Sequence, residues 1–149
     1  MIQHSVLFVC IHNSARSQMA EAFLNTFGGD YFIAESAGLE AGKLNPNVVK
    51  VMQEVDIDIS HKGTQDAFEL FKKGRSFNAV ITVCDEASAE GCPIFPGVIK
   101  RLGWSFPDPS TFTGTHEEIL EKIRKVRDQI KESVLAFIEE GKHMEYWIK

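Results

Sequence analysis

The stretch SVLFVCI, Ser5 to Ile11, carries no charge over seven residues. A strand with one wet face would alternate apolar and polar residues. A short unbroken apolar run marks a strand covered on both faces, which is the situation inside a parallel sheet. The rest of the chain supplies the covering helices. Ser14 to Phe27 reads as a helix with Ala15, Met19, Ala22, Phe23 and Thr26 on one face and Gly28-Gly29 as its stop. Tyr31 to Ala37 is a second strand. Asn45 then caps a helix that has Pro46 at its first position, with Val48, Met52 and Val55 as its apolar stripe. Thr64 is expected to cap a shorter helix, Gln65 to Lys73, ending at Gly74. Phe77 to Cys84 is a third buried strand and Gly97 to Trp104 a weaker fourth. Thr115 and Glu118 form a capping box. Behind it Ile119, Ile123, Val126, Ile130, Val134 and Phe137 recur at three- and four-residue steps, the spacing of a helix packed on a core. Strands alternating with helices predict an α/β protein, a parallel sheet with helices on both faces, in one domain over residues 1–149.

Composition excludes several partners. The formal charge is −5 and the isoelectric point about 5.5, so nucleic acid, which calls for a basic stripe, is not expected. No apolar run approaches the roughly 20 residues of a membrane span. The start, MIQHSVLFVC, lacks a basic region and a small-residue cleavage site, so no signal peptide is read. Cys10, Cys84 and Cys92 are the only cysteines. An odd count without a secretion signal predicts reduced thiols in the cytoplasm rather than a disulfide scaffold. Zinc is not expected, because there is no Cys-x-x-Cys pair and the five histidines are scattered.

In parallel α/β sheets ligands bind beyond the carboxyl ends of the strands. Cys10 ends the first strand, Cys84 ends the third, and Asp108 lies in the loop after the fourth. All three are thereby predicted at one rim. Between Cys10 and Ser17 the chain reads CIHNSARS, strand into helix. The backbone N–H groups of Ile11, His12, Asn13, Ser14 and Ala15 can curl around an anion, aided by the positive end of the helix. The same field favours a Cys10 thiolate reactive near neutral pH. Arg16 offers paired donors to a tetrahedral oxyanion. Ser17 can donate to the thiolate, and His12 is read as a solvent-facing loop residue. Against this stands the plainer reading of Cys10 as a buried strand residue, a common fate for a free cysteine. Its place between strand and helix favours the nucleophile.

The stretch VLFVCIHNSARSQMAEA resembles the phosphate-binding loop of the low-molecular-weight protein tyrosine phosphatase fold. ESAGLEAGKLNP, DIDISHKGTQD, VITVCDEASAEGCPIFPG, WSFPDP and the last helix extend the likeness, within that fold, to the thioredoxin-coupled arsenate reductases. The resemblance implies a three-layer sandwich around a four-stranded parallel sheet, and reduction of arsenate to arsenite. In that scheme Cys10 attacks arsenic(V) and Asp108 helps expel hydroxide or water. Cys84 then attacks Cys10, and Cys92 attacks Cys84, leaving a Cys84–Cys92 disulfide for thioredoxin. It further implies a monomer that requires no cofactor. In some relatives a potassium ion sits beside the loop, and the matching positions here are Asn13, Ser36, Thr64 and Asp66. The plainer reading is a hydrogen-bond network in which Asn13 props the loop. Ile11, His12 and Ala15 stand where several relatives have glycine, threonine or a further cysteine.

Two other functions are compatible with the loop. A low-molecular-weight tyrosine phosphatase would need only Cys10, Arg16 and Asp108. It has no use for Cys84 and Cys92, and Ser110-Thr111-Phe112 lacks the tyrosine expected after Asp-Pro. A non-enzymatic oxyanion or redox sensor would use the cysteines as a switch. Seven residues separate Cys84 from Cys92. Bridged Cα atoms must approach within about 7 Å, so this segment is expected to rearrange on oxidation, with Gly91 and Pro93 assisting the break.

Overall fold

The computed structural model describes residues 3–84 and 91–148. Four parallel strands, β1 (His4–Cys10), β2 (Phe32–Gly38), β3 (Ala79–Thr82) and β4 (Lys100–Gly103), form one sheet in the order β2-β1-β3-β4. The helices are α1 (Arg16–Gly28), α2 (Pro46–Gln53), α3 (Ala67–Lys72), α4 (His116–Gly141) and α5 (Met144–Trp147). A single 3₁₀ turn, Pro109–Thr111, follows β4.

β1 is central, and the apolar run is explained by its position: Val6, Leu7, Phe8 and Val9 have no exposed surface. Their side chains alternate between two cores. Val6, Phe8 and Cys10 join residues of α1, α2 and α4 in the larger one. Leu7 and Val9 join Ala67 and Leu70 of α3, together with Phe77, Val80, Cys92 and Phe95, in the smaller one. The sheet therefore lies between two helical layers, the three-layer arrangement expected.

The chain leaves β1 to form β2 on one side and returns to form β3 on the other. That reversal puts the crevice of the fold at the carboxyl end of β1. Cys10 is paired with Gly38, and Val9 with Thr82, so the strand ends lie level at one rim.

Local chemistry explains the helix starts. Asn45 accepts from the Asn47 N–H at 2.9 Å, with Pro46 following. Thr115 and Glu118 make both halves of the capping box. Two expectations are corrected. The cap of α3 is Asp66, whose Oδ1 accepts from the N–H groups of Phe68 and Glu69; the Thr64 hydroxyl instead donates to the Gly42 carbonyl at 2.7 Å. Thr26, placed on the buried face of α1, is exposed, while Gly28 at the end of the same turn is buried against Phe32 and Ile138. Among the described residues no helix is long and apolar enough to cross a membrane.

Candidate active site

The loop from Ile11 to Ala15 is shaped by what its carbonyls do. The carbonyls of Cys10, Ile11 and His12 accept from the N–H groups of Leu39, Glu40 and Gly42, and that of Ser14 from Asn45, at 2.9–3.0 Å. A trans peptide points its carbonyl and the next N–H in opposite directions. With these carbonyls turned toward residues 39–45, the N–H groups of Ile11, His12, Asn13 and Ala15 are turned to the other side. The Asn13 N–H does point there, donating to Cys10 Sγ at 3.2 Å. This is an anion nest. Asn13 completes the curl with φ 56°, a left-handed conformation that asparagine tolerates better than most side chains. α1 begins immediately after, with no side-chain cap at Ala15. Its first N–H groups are left for an anion.

Gly38 makes room for the loop. A Cβ on it would lie 2.7 Å from the Asn13 nitrogen and 2.5 Å from the Glu40 carbonyl oxygen.

Around Cys10, which is buried, the hydrogen bonds have a fixed direction. Asn13 Nδ2 donates to Ser17 Oγ at 2.8 Å, and Ser17 Oγ lies 2.8 Å from Cys10 Sγ. Asn13 Oδ1 accepts from the Gln65 N–H at 2.9 Å and from Gln18 Nε2 at 3.2 Å, which fixes the orientation of the amide. Ser17 thus accepts from Asn13 and has its single proton available for a thiolate at Cys10.

Arg16 is buried except for 6% of its surface. Its Nη1 donates to the Phe106 carbonyl at 3.1 Å, and Nη2 lies 3.6 Å from Asp108 Oδ2. Asp108 Oδ1 accepts from the Ser110 N–H and hydroxyl, leaving Oδ2 toward the loop. Arg16 and Asp108 therefore stand together, at the end of the loop that Cys10 begins. His12 is exposed, as read, with Nδ1 3.1 Å from Glu40.

The other two cysteines separate. All three are buried and reduced. Cys84 shares the larger core with Cys10, whereas Cys92 belongs to the smaller core across the sheet. Burial pushes the Cys92 thiol up, partly opposed by the positive charge of Arg101, and its sulfur is 3.5 Å from the Pro93 carbonyl. The expected rearrangement falls largely on residues 85–90, outside the described residues.

The positions matched to potassium are engaged within the protein. Asn13 Oδ1 and the Thr64 hydroxyl are committed as above, and Asp66 Oδ1 caps α3. The Ser36 hydroxyl donates to Glu21 Oε1 at 2.7 Å, and the Lys62 ammonium sits on the same carboxylate. A cation of the protein's own, the Lys62 ammonium, therefore already stands beside these positions. Glu21, Lys62, Gln18 and Gln65 escaped the sequence reading. Their signal was a polar residue on an otherwise buried helix face, visible at Gln18 and Glu21.

A profile described as low molecular weight phosphotyrosine protein phosphatase matches residues 5–145. The chain belongs to that family. Within the family it is 42% identical over 137 residues to an arsenate reductase of Bacillus subtilis, covering 92% of this chain and 96% of the relative. A solved arsenate reductase in its reduced state superposes with a TM-score of 0.74 at 32% identity, over 92% of this chain and 98% of that one. A thioredoxin-dependent arsenate reductase of Corynebacterium glutamicum gives a TM-score of 0.61 at 28% identity, over 90% of this chain and 63% of that one.

Proposed function

We propose that the protein is an arsenate reductase regenerated by thioredoxin, acting as a monomer in the cytoplasm through one domain, residues 1–149. The observation that carries this reading is the nucleophile's setting: a Cys10 sulfur that receives hydrogen bonds from Ser17 and the Asn13 backbone, beside an arginine paired with an acid. The curated relatives' activity and the presence of Cys84 in the same core support the redox chemistry.

The steps balance as follows. The Cys10 thiolate attacks arsenic(V), and a hydroxide leaves as water with a proton from Asp108. Arg16 and the loop N–H groups hold the remaining oxygens. The Cys84 thiolate then attacks Cys10 Sγ. The sulfur–arsenic bond breaks with its electron pair going to arsenic, which departs as arsenite, and a Cys10–Cys84 disulfide forms. The Cys92 thiolate attacks Cys84 Sγ and expels the Cys10 thiolate, leaving a Cys84–Cys92 disulfide. A dithiol protein of the thioredoxin class supplies two electrons and two protons to restore both thiols. The loop, Arg16 and Asp108 also suit phosphate monoesters, so weak phosphatase activity accompanies the reductase.

An NADPH-coupled assay with thioredoxin and thioredoxin reductase tests this. Arsenate-dependent NADPH oxidation is expected, abolished in Cys10→Ser and Cys84→Ser and limited to one turnover in Cys92→Ser. Hydrolysis of p-nitrophenyl phosphate without any arsenate-dependent NADPH oxidation would establish a phosphatase instead.

A further inference from the structure

Beside the catalytic loop, a carboxylate is buried where the fold supplies its own cation. Glu21 lies one turn into α1 and is 7% exposed. One of its oxygens accepts from Ser36, and the other is met by the Lys62 ammonium. A buried carboxylate without a counter-charge is costly. The segment that brings Lys62 there is latched to the loop at several points. Gln18 Nε2 donates to the Gly63 carbonyl at 2.9 Å and to the Asn13 carbonyl and Oδ1, both at 3.2 Å. The Gln65 N–H donates to Asn13 Oδ1, and Gln65 Nε2 to the Ser36 carbonyl at 3.0 Å. Residues 62–65 thus hold Asn13, which holds Ser17, which donates to Cys10.

We propose that Lys62 is a tethered cation that takes the place of a bound monovalent ion beside the loop, and that it positions the loop so the site works without potassium. The proposal rests on reading the loop as the oxyanion site and goes beyond it. An ammonium and a potassium ion carry the same charge and both accept oxygen ligands. With Lys62 on Glu21, an additional cation would meet repulsion and find Asn13 Oδ1 and Asp66 Oδ1 already accepting from N–H donors. Burial lowers the Lys62 pKa from the ordinary lysine value. Lys62 touches neither substrate nor sulfur, so it is a positioning residue.

The test uses the whole chain and needs no arsenate, so its outcome is independent of whether arsenate is reduced. The melting temperature and the rate of Cys10 alkylation by iodoacetamide are measured in potassium, ammonium and choline chloride at equal ionic strength. The wild type is expected to give the same values in all three. In Lys62→Ala, alkylation at pH 7 in choline should fall about tenfold, the worth of one charge-assisted contact. The plateau reached in alkaline solution should be unchanged. Potassium or ammonium should restore much of the rate and raise the melting temperature. Lys62→Met, which keeps the stem and lacks the charge, should slow alkylation similarly, and it serves if the alanine variant does not fold. A wild type stabilised or accelerated by potassium over choline would overturn the proposal. So would variants that alkylate like wild type, or a slowed alanine variant that no cation restores; if only Lys62→Met folds, the first two outcomes decide.

Discussion

Ser17 has one hydroxyl proton and two close neighbours, and the amide of Asn13 decides where it goes. Because Nδ2 of Asn13 is a donor only, the serine accepts from it, and opposite a Cys10 thiolate, which has no proton to give, it turns its own proton to the sulfur. A hydrogen bond to a charged acceptor contributes about 1.5–3 kcal/mol. Ser17→Ala should therefore lower kcat/KM for arsenate by about ten- to a hundredfold. The loop N–H groups remain to bind the oxyanion, so KM should change less than kcat. A loss confined to KM would show that Ser17 serves binding and not the nucleophile. Cys10 and Arg16 could be singled out in the sequence because both belong to the short loop after a buried strand, and Asp108 because it follows the fourth strand at the same rim. Lys62 was not legible, since its partner Glu21 is far away in sequence and nothing local announces a buried carboxylate's counter-ion.

At the scale of the elements, signals that act within a few residues were readable. The caps at Asn45 and Thr115 and the stripe of α4 stand where spacing put them. Thr64 and Asp66 are two residues apart and both are good caps, and the choice was made by Gly42, whose carbonyl engages Thr64. β4 read weakly because it is an edge strand whose Lys100 and Arg101 serve an exposed margin. What holds α2 against α4 was also unreadable. Glu54, at the end of α2, accepts from Arg124 at 2.9 Å and from the largely buried Arg127 at 3.0 Å. Hydrogen bonding from Arg124, with Arg127 adding to it, holds the Glu54 carboxyl below its ordinary value near 4.5. A lowered carboxylate contributes stability that is present above its unfolded value and is lost as pH falls through the folded one. Glu54→Gln should then cost about 1 kcal/mol near pH 7, a modest amount because the pair is partly solvated. Urea denaturation at pH 7 and at pH 3 checks this: the gap between wild type and variant should narrow in acid. A gap of the same size at both values would mean that the carboxylate charge contributes nothing.

For the molecule as a whole, the sheet itself stands between two of the cysteines. Cys10 and Cys84 lie with the larger core, and Cys92 packs with Leu70, Phe77 and Phe95 in the smaller one. A Cys84–Cys92 disulfide requires their Cα atoms to come within about 7 Å, and Cys92 is expected to leave those neighbours to form it. Burying an apolar side chain is worth on the order of 1.5–3 kcal/mol, and a small thiol gives up only part of that. The oxidised protein should accordingly lose packing under α3 while the larger core stays intact. Arsenate without a reductant should lower the thiol count from three to one, with Cys10 the thiol that survives. Hydrogen exchange in that oxidised form should be faster in Ala67–Lys72 and around Phe95 and unchanged in α1 and α4. The same treatment of Cys92→Ser should oxidise Cys10 and Cys84 and leave exchange in α3 as in the reduced wild type. If α3 were equally protected in the reduced and oxidised wild type, Cys92 would have reached Cys84 without leaving its core. The raised Cys92 thiol would then be the only barrier to the last disulfide exchange.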